Sequence, residues 1–217
     1  MAALQFLPSG LPHPSRLLRR RRSLAAVVTE VRRRCHLLRA ADDRDLLLAT
    51  EQLRDRVLLG AAPTNPDVLT PGFALVCEAL RRQLGIDLYD VQIHAGVALA
   101  CGAVAEMQTG EGKTVVAALP AYVHALASRG VHVVTANAYL AQRDADQLQP
   151  VFESLGLSCR CVPEQAPLEP KQNAYNADVV YGSGHEFGFD FLRDEVASRR
   201  SAGATLGDHT LAALAGA

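Results

Sequence analysis

The sequence predicts an α/β fold: a parallel β-sheet with helices on both faces, preceded by an N-terminal helical extension. From residue 87 onward, short β-branched runs alternate with helical stretches, at the spacing of βα units in a parallel sheet. Before residue 87, apolar residues recur only at the three- and four-residue spacing of amphipathic helices. We therefore divide the chain into a flexible arm (1–15), a helical region (16–86), an α/β domain (87–198) and an unassigned tail (199–217).

Three helices are predicted in the helical region. The first covers residues 16–40, where arginines stand between the apolar positions. The second begins at Asp42 or Asp43, because carboxylates suit the positive end of a helix dipole, and it stops at Gly60. Residues 61–66 are predicted to form a turn, and the third helix covers residues 73–84.

The α/β domain is predicted to alternate strictly between the two element types. Helices are expected over 91–100, 115–128 and 139–155, with a final helix after Gly182-Ser183-Gly184. Strands are expected over 102–105, 131–135, 157–162 and 178–181, of which 131–135 and 178–181 are predicted to be buried on both faces. Residues 163–170 are predicted to form a loop.

One stretch carries the chemistry of the domain. Thr109, Gly110, Glu111, Gly112, Lys113 and Thr114 lie between the apolar run 102–105 and a predicted helix. This arrangement indicates a P-loop, in which glycines let backbone N–H groups surround phosphate oxygens, the lysine adds a cation and the threonine hydroxyl is a ligand for Mg²⁺. Met107 stands where the general motif has its first glycine. The alternative is a glycine-rich turn with a chance Gly-Lys-Thr, and we favour binding of ATP with Mg²⁺.

The charge is uneven along the chain. The chain is 49% hydrophobic and carries a net charge of −1, so it can bury a core. The first forty residues contain a single acid, Glu30, among many arginines: Arg16, Arg19, Arg20, Arg21, Arg22, Arg32, Arg33, Arg34 and Arg39. Such a stretch suits anionic lipid or nucleic acid, and a solvated helix face explains it equally well.

The five cysteines show no paired metal-ligand spacing. We expect them to be reduced and mostly buried, as in a cytoplasmic protein. No apolar run approaches the length of a membrane span, so we expect contact with a membrane only at its surface.

Several separate blocks together resemble SecA, the ATP-driven motor family of bacterial preprotein translocation. The resemblance covers residues 21–194, and it implies a RecA-like, DEAD-like helicase fold. The blocks that carry it are residues 31–40 (VRRRCHLLRA), 89–92 (YDVQ), 105–114 (AEMQTGEGKT), 130–135 (GVHVVT), 137–144 (NAYLAQRD), 181–182 (YG) and 186–194 (EFGFDFLRD).

The resemblance implies roles for particular residues. Gln92 matches the glutamine that reads the adenine edge, for which an amide that both donates and accepts is suited; the alternative is a surface glutamine. Lys113 and Thr114 keep the phosphate and Mg²⁺ roles. Arg143, with Asp144, matches a block that shapes the nucleotide side of the domain, although such neighbours are often only structural.

The chain also departs from the family pattern. Ala138 replaces an aspartate, and the family's Thr-Asn-Asn-Glu reads Ser183-Gly184-His185-Glu186, so nucleotide binding is expected to be weakened or retuned. No acidic pair follows an apolar strand, as Mg²⁺ binding and water orientation require. Asp194-Glu195 imitates such a pair but falls in a predicted helix. We expect no catalytic acid, and little hydrolysis by the isolated chain.

Three functions are compatible with these features. The first is the ATP-binding part of a SecA-type motor, with preproteins, the SecYEG channel and anionic lipid as partners. A second chain would complete that motor, and the location would be the cytoplasm, with peripheral attachment to the inner membrane. The second is a non-catalytic ATP-binding or regulatory module derived from SecA. The third is a helicase-like NTPase, against which the SecA-like blocks argue; we do not expect nucleic acid as a partner.

Overall fold

The computed structural model describes the backbone of residues 14–201 and the side chains of residues 24–199. The predicted arm (1–15) and tail (199–217) therefore lie almost entirely outside the described residues. The helices are α1 (Pro14–Leu38), α2 (Asp43–Leu58), α3 (Pro66–Leu84), α4 (Asp90–Ala100), α5 (Lys113–Ala125), α6 (Ala138–Ser154), α7 (Leu168–Tyr175) and α8 (Gly184–Ser201). The strands are β1 (Val131–Thr135), β2 (Cys159–Cys161) and β3 (Val179–Ser183).

The three strands form a parallel sheet in the order β1-β3-β2. The central strand β3 is buried along its whole length, as predicted. On one face, Val179 and Tyr181 join the main core with α3, α5 and α6. On the other face, Val180 packs in a smaller cluster with Ala174 of α7 and Phe187 of α8. The predicted α/β fold, a parallel sheet with helices on both faces, is confirmed.

Local signals set the boundaries of α2. Asp42 accepts a hydrogen bond from the Asp45 N–H, and the Asp45 carboxylate accepts one from the Asp42 N–H, at 2.8 and 3.1 Å. This reciprocal capping box satisfies two N–H groups that a helix end otherwise leaves unpaired. The predicted start of α2 is confirmed.

Helix α3 begins seven residues earlier than predicted, at Pro66. Asn65 caps it by accepting from the Asp67 N–H at 3.0 Å. Pro66 occupies the first helical turn, where a missing N–H costs nothing. The prediction was wrong because Pro66 was assigned to a turn over residues 61–66, whereas it begins α3, and the long buried face of this helix also includes Pro71.

The predicted strand over 102–105 is absent, and Val104 in this stretch is 68% exposed. A strand needs a hydrogen-bonded neighbour, and among the described residues β1 pairs only with β3. Strand β1 is likewise an edge strand among the described residues. Its side chains alternate between partly covered and exposed, so it is not the fully buried strand that was predicted. Strand β2 is shorter than predicted, and α7 begins inside the predicted loop 163–170.

Candidate nucleotide-binding site

The P-loop leads directly into α5. Gly110 and Gly112 have φ angles of 87° and 80°, in the left-handed region that only glycine adopts readily. Gly112 is the N-cap residue of α5 and supplies no side-chain hydrogen bond. The N–H groups of the first turn, which have no partner within the helix, are therefore left without a capping side chain at the positive end of the helix dipole. This geometry suits an anion.

Hydrogen bonds within the loop hold its shape. The Glu111 carboxylate accepts from the Gln108 N–H at 2.6 Å, and the Lys113 ammonium donates to the Gln108 carbonyl at 2.7 Å. Lys113 thus lies across the loop and is exposed. Its acceptor here is a neutral backbone carbonyl and not a carboxylate.

Gln92 lies on α4 and holds the P-loop through its side chain. Its side chain is buried at 9% exposure, so it is not a surface glutamine. Its Oε1 atom accepts from the Tyr89 N–H at 2.8 Å, and its Nε2 atom donates to the Glu111 carbonyl at 2.9 Å. Gln92 therefore joins the start of α4 to the P-loop. Its reading of adenine stays a prediction.

Thr114 and Arg143 meet through Asp144. The Thr114 hydroxyl donates to the Asp144 carboxylate at 3.3 Å. Arg143 donates to the same carboxylate oxygen from Nε and Nη2, at 2.9 and 2.6 Å. The first turn of α5 and the second turn of α6 thus bring together residues thirty positions apart. Asp144 is the residue that the predicted site lacked, and its only sequence signal was its place beside Arg143 in the block 137–144.

These residues fit a magnesium nucleotide. Two glycines and the uncapped start of α5 can surround phosphate oxygens, and Lys113 supplies a cation. The Thr114 hydroxyl and the Asp144 carboxylate are oxygen ligands of the kind that Mg²⁺ prefers. Thr109 and Gly110 are exposed at the tip of the loop.

Within the described residues, no carboxylate directly follows a strand, because β1, β2 and β3 are followed by Ala136, Val162 and Gly184. Strand β3 ends at Ser183 and runs straight into α8. Asp194 and Glu195 are exposed on α8, as predicted, and are not at the end of a buried strand.

A second polar cluster joins α7 to α8. Lys171 pairs with Glu186, and its ammonium donates to both carboxylate oxygens of Asp190 at 2.8 and 3.0 Å. The Tyr175 hydroxyl donates to Asp190 at 2.9 Å. All three charged side chains are buried. Glu186 and Asp190 belong to the block 186–194, and the structure gives them a structural role.

Within residues 14–201, none of the helices combines the length and the apolar character needed to cross a bilayer.

The SecA DEAD-like domain family matches residues 14–213 of this chain. Among similar proteins, the protein translocase subunit SecA of Rubrobacter xylanophilus is 45% identical over 83% of this chain and 20% of its own length. The subunit of Cellvibrio japonicus is 48% identical over 74% of this chain and 17% of its own. That of Carboxydothermus hydrogenoformans is 42% identical over 89% of this chain and 22% of its own.

The chain therefore spans about a fifth of the length of these relatives. The matched region includes the whole P-loop, Gln92 and the Arg143–Asp144 pair. With the parallel sheet and the loop geometry, the comparison shows that this chain belongs to the SecA family and forms part of its DEAD-like domain.

Proposed function

We propose that this chain is the ATP-binding part of a SecA-type motor that couples ATP hydrolysis to preprotein translocation. The observation that carries the proposal is the uncapped start of α5, with Lys113 and Thr114 in its first turn and Asp144 beside them. The relatives are named as protein translocase subunits. Preproteins, the SecYEG channel and anionic lipid are the partners that this role requires, at the cytoplasmic face of the inner membrane.

Each site residue has a distinct task in this proposal. The loop N–H groups and Lys113 bind the phosphates of ATP, and Thr114 holds Mg²⁺. Gln92 reads the adenine edge, and Arg143 orients Asp144 against Thr114. When bound, Mg²⁺ would neutralise part of the negative charge of the phosphates, which favours phosphoryl transfer.

We propose that this chain hydrolyses little ATP by itself. The acidic pair of such a motor follows an apolar strand, whereas Ala136, Val162 and Gly184 follow the three strands of the described residues. Among the described residues, β1 has a neighbouring strand on one side only, which also suits a sheet that continues with further strands. A second polypeptide that supplies those strands and the catalytic acid would complete the motor.

The first experiment is calorimetric titration of the full chain with Mg-ATP and Mg-ADP. We expect saturable binding that Lys113→Ala abolishes, because the ammonium is the only side-chain cation in the loop. The matched control is Arg129→Ala, which removes an exposed cation beyond the opposite end of α5. Absence of binding in a chain that circular dichroism shows to be folded would overturn the proposal.

A non-catalytic ATP-binding or regulatory module is the second candidate. Ala138 and His185, which replace polar residues of the family pattern, favour it. The two candidates differ when the chain is mixed with a SecA polypeptide that lacks this domain. Restored ATPase activity that depends on Lys113 supports the motor, whereas nucleotide binding without restored activity supports the module.

A nucleic-acid-dependent NTPase is the third candidate. Its signature is binding of single-stranded RNA or DNA that weakens steeply as salt rises.

A further inference from the structure

Two cysteines from separate helices meet in the helical region. Cys35 lies on α1 and Cys77 on α3, and both residues line one small cavity between the helices. The Cys35 thiol also approaches the Ala74 carbonyl, one turn before Cys77, with a sulfur–oxygen distance of 3.9 Å. Cys35 is half-buried, whereas Cys77 is 7% exposed. The proposed nucleotide site uses neither thiol.

The surroundings of the pair favour a reaction with a small anion. Both thiols line a cavity of about 40 Å³. Three guanidinium groups and two carboxylates line the same cavity, so its charge is net positive: Arg32, Arg39 and Arg81 against Glu78 and Asp87. A disulfide that carries carboxylates, such as oxidised glutathione, suits this charge and would approach Cys35 from outside the cavity, which is too small to hold it.

The two thiols differ in character. The hydrogen bond from Cys77 lowers the pKa of Cys35 below its ordinary value; burial opposes this effect, and Arg32 and Arg39 support it. The same hydrogen bond, together with burial, raises the pKa of Cys77 well above its ordinary value. Cys35 is thus the thiol that reacts first, and Cys77 reacts second, once it has lost its proton.

We propose that Cys35 and Cys77 are a redox modification site, at which oxidised glutathione converts the pair into a reversible disulfide between α1 and α3. The Cys35 thiolate attacks one sulfur of oxidised glutathione and releases one glutathione thiolate. Cys77 then loses its proton and attacks the Cys35 sulfur, which releases the second glutathione. Two protein thiols are oxidised by two electrons, and one glutathione disulfide is reduced to two thiols.

The disulfide changes how the N-terminal helix is held. In the reduced protein, α1 is attached by side-chain packing on α3 and by the ion pair of Arg32 with Asp90 at 2.8 Å. The disulfide adds a covalent link across the same helix pair. It therefore fixes α1 against α3 and constrains the unfolded chain.

The test is incubation of the full chain with oxidised glutathione, followed by thiol counting and peptide mass mapping. We expect two of the five thiols to be lost, a linked Cys35–Cys77 peptide, and full reversal by dithiothreitol. We also expect Tm to rise by a few degrees, about what a moderate gain in stability produces in a chain of this size.

Variants separate this pathway from unspecific oxidation. Cys77→Ser should trap glutathione on Cys35, and Cys35→Ser should leave Cys77 unmodified. Cys101→Ser, which removes the exposed thiol at the end of α4, is the matched control and should still form the disulfide. The proposal is overturned if Cys35 and Cys77 remain open to alkylation while Cys101 takes the modification, or if folded Cys77→Ser gains no adduct at Cys35.

Discussion

Gln92 donates from Nε2 to the carbonyl of Glu111 over 2.9 Å, two residues before the P-loop lysine. The other end of the same amide accepts from the Tyr89 N–H. A Cβ atom at Gly112 would lie 2.6 Å from that Nε2 atom. Gln92 and Gly112 therefore form one contact between α4 and the P-loop, and the shape of the loop depends on both residues.

Gln92→Ala should weaken ATP binding about tenfold. The P-loop loses the hydrogen bond from the buried Gln92 amide to the Glu111 carbonyl, and the nucleotide loses the proposed hydrogen bond to adenine. We also expect the preference for ATP over GTP to disappear, since Gln92 is proposed to read adenine. Calorimetry with both nucleotides measures the two effects. If the binding of ATP and of GTP is weakened equally, Gln92 only supports the P-loop and does not read adenine. Gln147→Ala, an exposed glutamine on α6, is the control and should change neither affinity.

Gly112→Ala should weaken ATP binding by about tenfold or more. A φ of 80° is strained for alanine, and the new Cβ collides with the Gln92 amide. The control is Gly188→Ala on α8, where an added Cβ meets no atom within 4 Å. That change should leave binding intact and slightly raise stability, because alanine favours a helix. Equal ATP affinity in wild type and Gly112→Ala would contradict the strain argument.

Lys171→Met should lower the free energy of unfolding by about 3 kcal/mol, because it leaves two carboxylates buried without their cation. The Lys171 side chain is only 4% exposed in its pairs with Glu186 and Asp190. Arg193→Ala removes a partner of Asp190 that is 66% exposed, and it should lower stability by less than about 1 kcal/mol. Urea unfolding compares the variants, and similar losses for both would show that burial does not set the energy of this cluster.

Stability should fall in acid through Glu78 on α3. The hydrogen bond from Arg81 holds the pKa of Glu78 below its ordinary value against the effect of burial, and Arg82 lowers it further. A carboxylate with a depressed pKa in the folded state stabilises the protein above its unfolded pKa, and this stabilisation is lost as pH falls through that value towards the folded one. The loss should therefore begin below about pH 5.

Glu78→Gln tests this assignment. The variant should be less stable than wild type at pH 7, and its free energy of unfolding should fall less steeply between about pH 5 and pH 3. Glu51→Gln, at an exposed position on α2, should keep the wild-type slope. If the free energy of unfolding falls with pH equally steeply in wild type and in Glu78→Gln, Glu78 is not the source of the acid sensitivity.

Features that depend on neighbours along the chain could be predicted from sequence. Asp42 marks the start of α2 because capping involves residues three positions apart. The P-loop could be recognised because its glycines, Lys113 and Thr114 are consecutive. The parallel sheet followed from the alternation of β-branched runs with helices, since strands joined through helices must run in the same direction.

Errors arose where the environment of a segment decides its structure. Residues 102–105 have the composition of a strand, but a strand exists only where a neighbouring strand accepts its hydrogen bonds. Residues 131–135 do form a strand, yet its burial depends on what covers each face of the sheet. Pro66 suggested a turn, but a proline in the first turn of a helix loses no hydrogen bond.

By itself, the sequence determined the class of fold, the position of the P-loop and the family, because periodicity, caps and consecutive motifs are local. Only the tertiary structure decided that Gln92 holds the loop from nineteen residues away, that Asp144 joins Thr114 to Arg143, and that Cys35 meets Cys77. These contacts link residues on different helices. Their partners are fixed by how helices pack around the shared core, which no short stretch of sequence encodes.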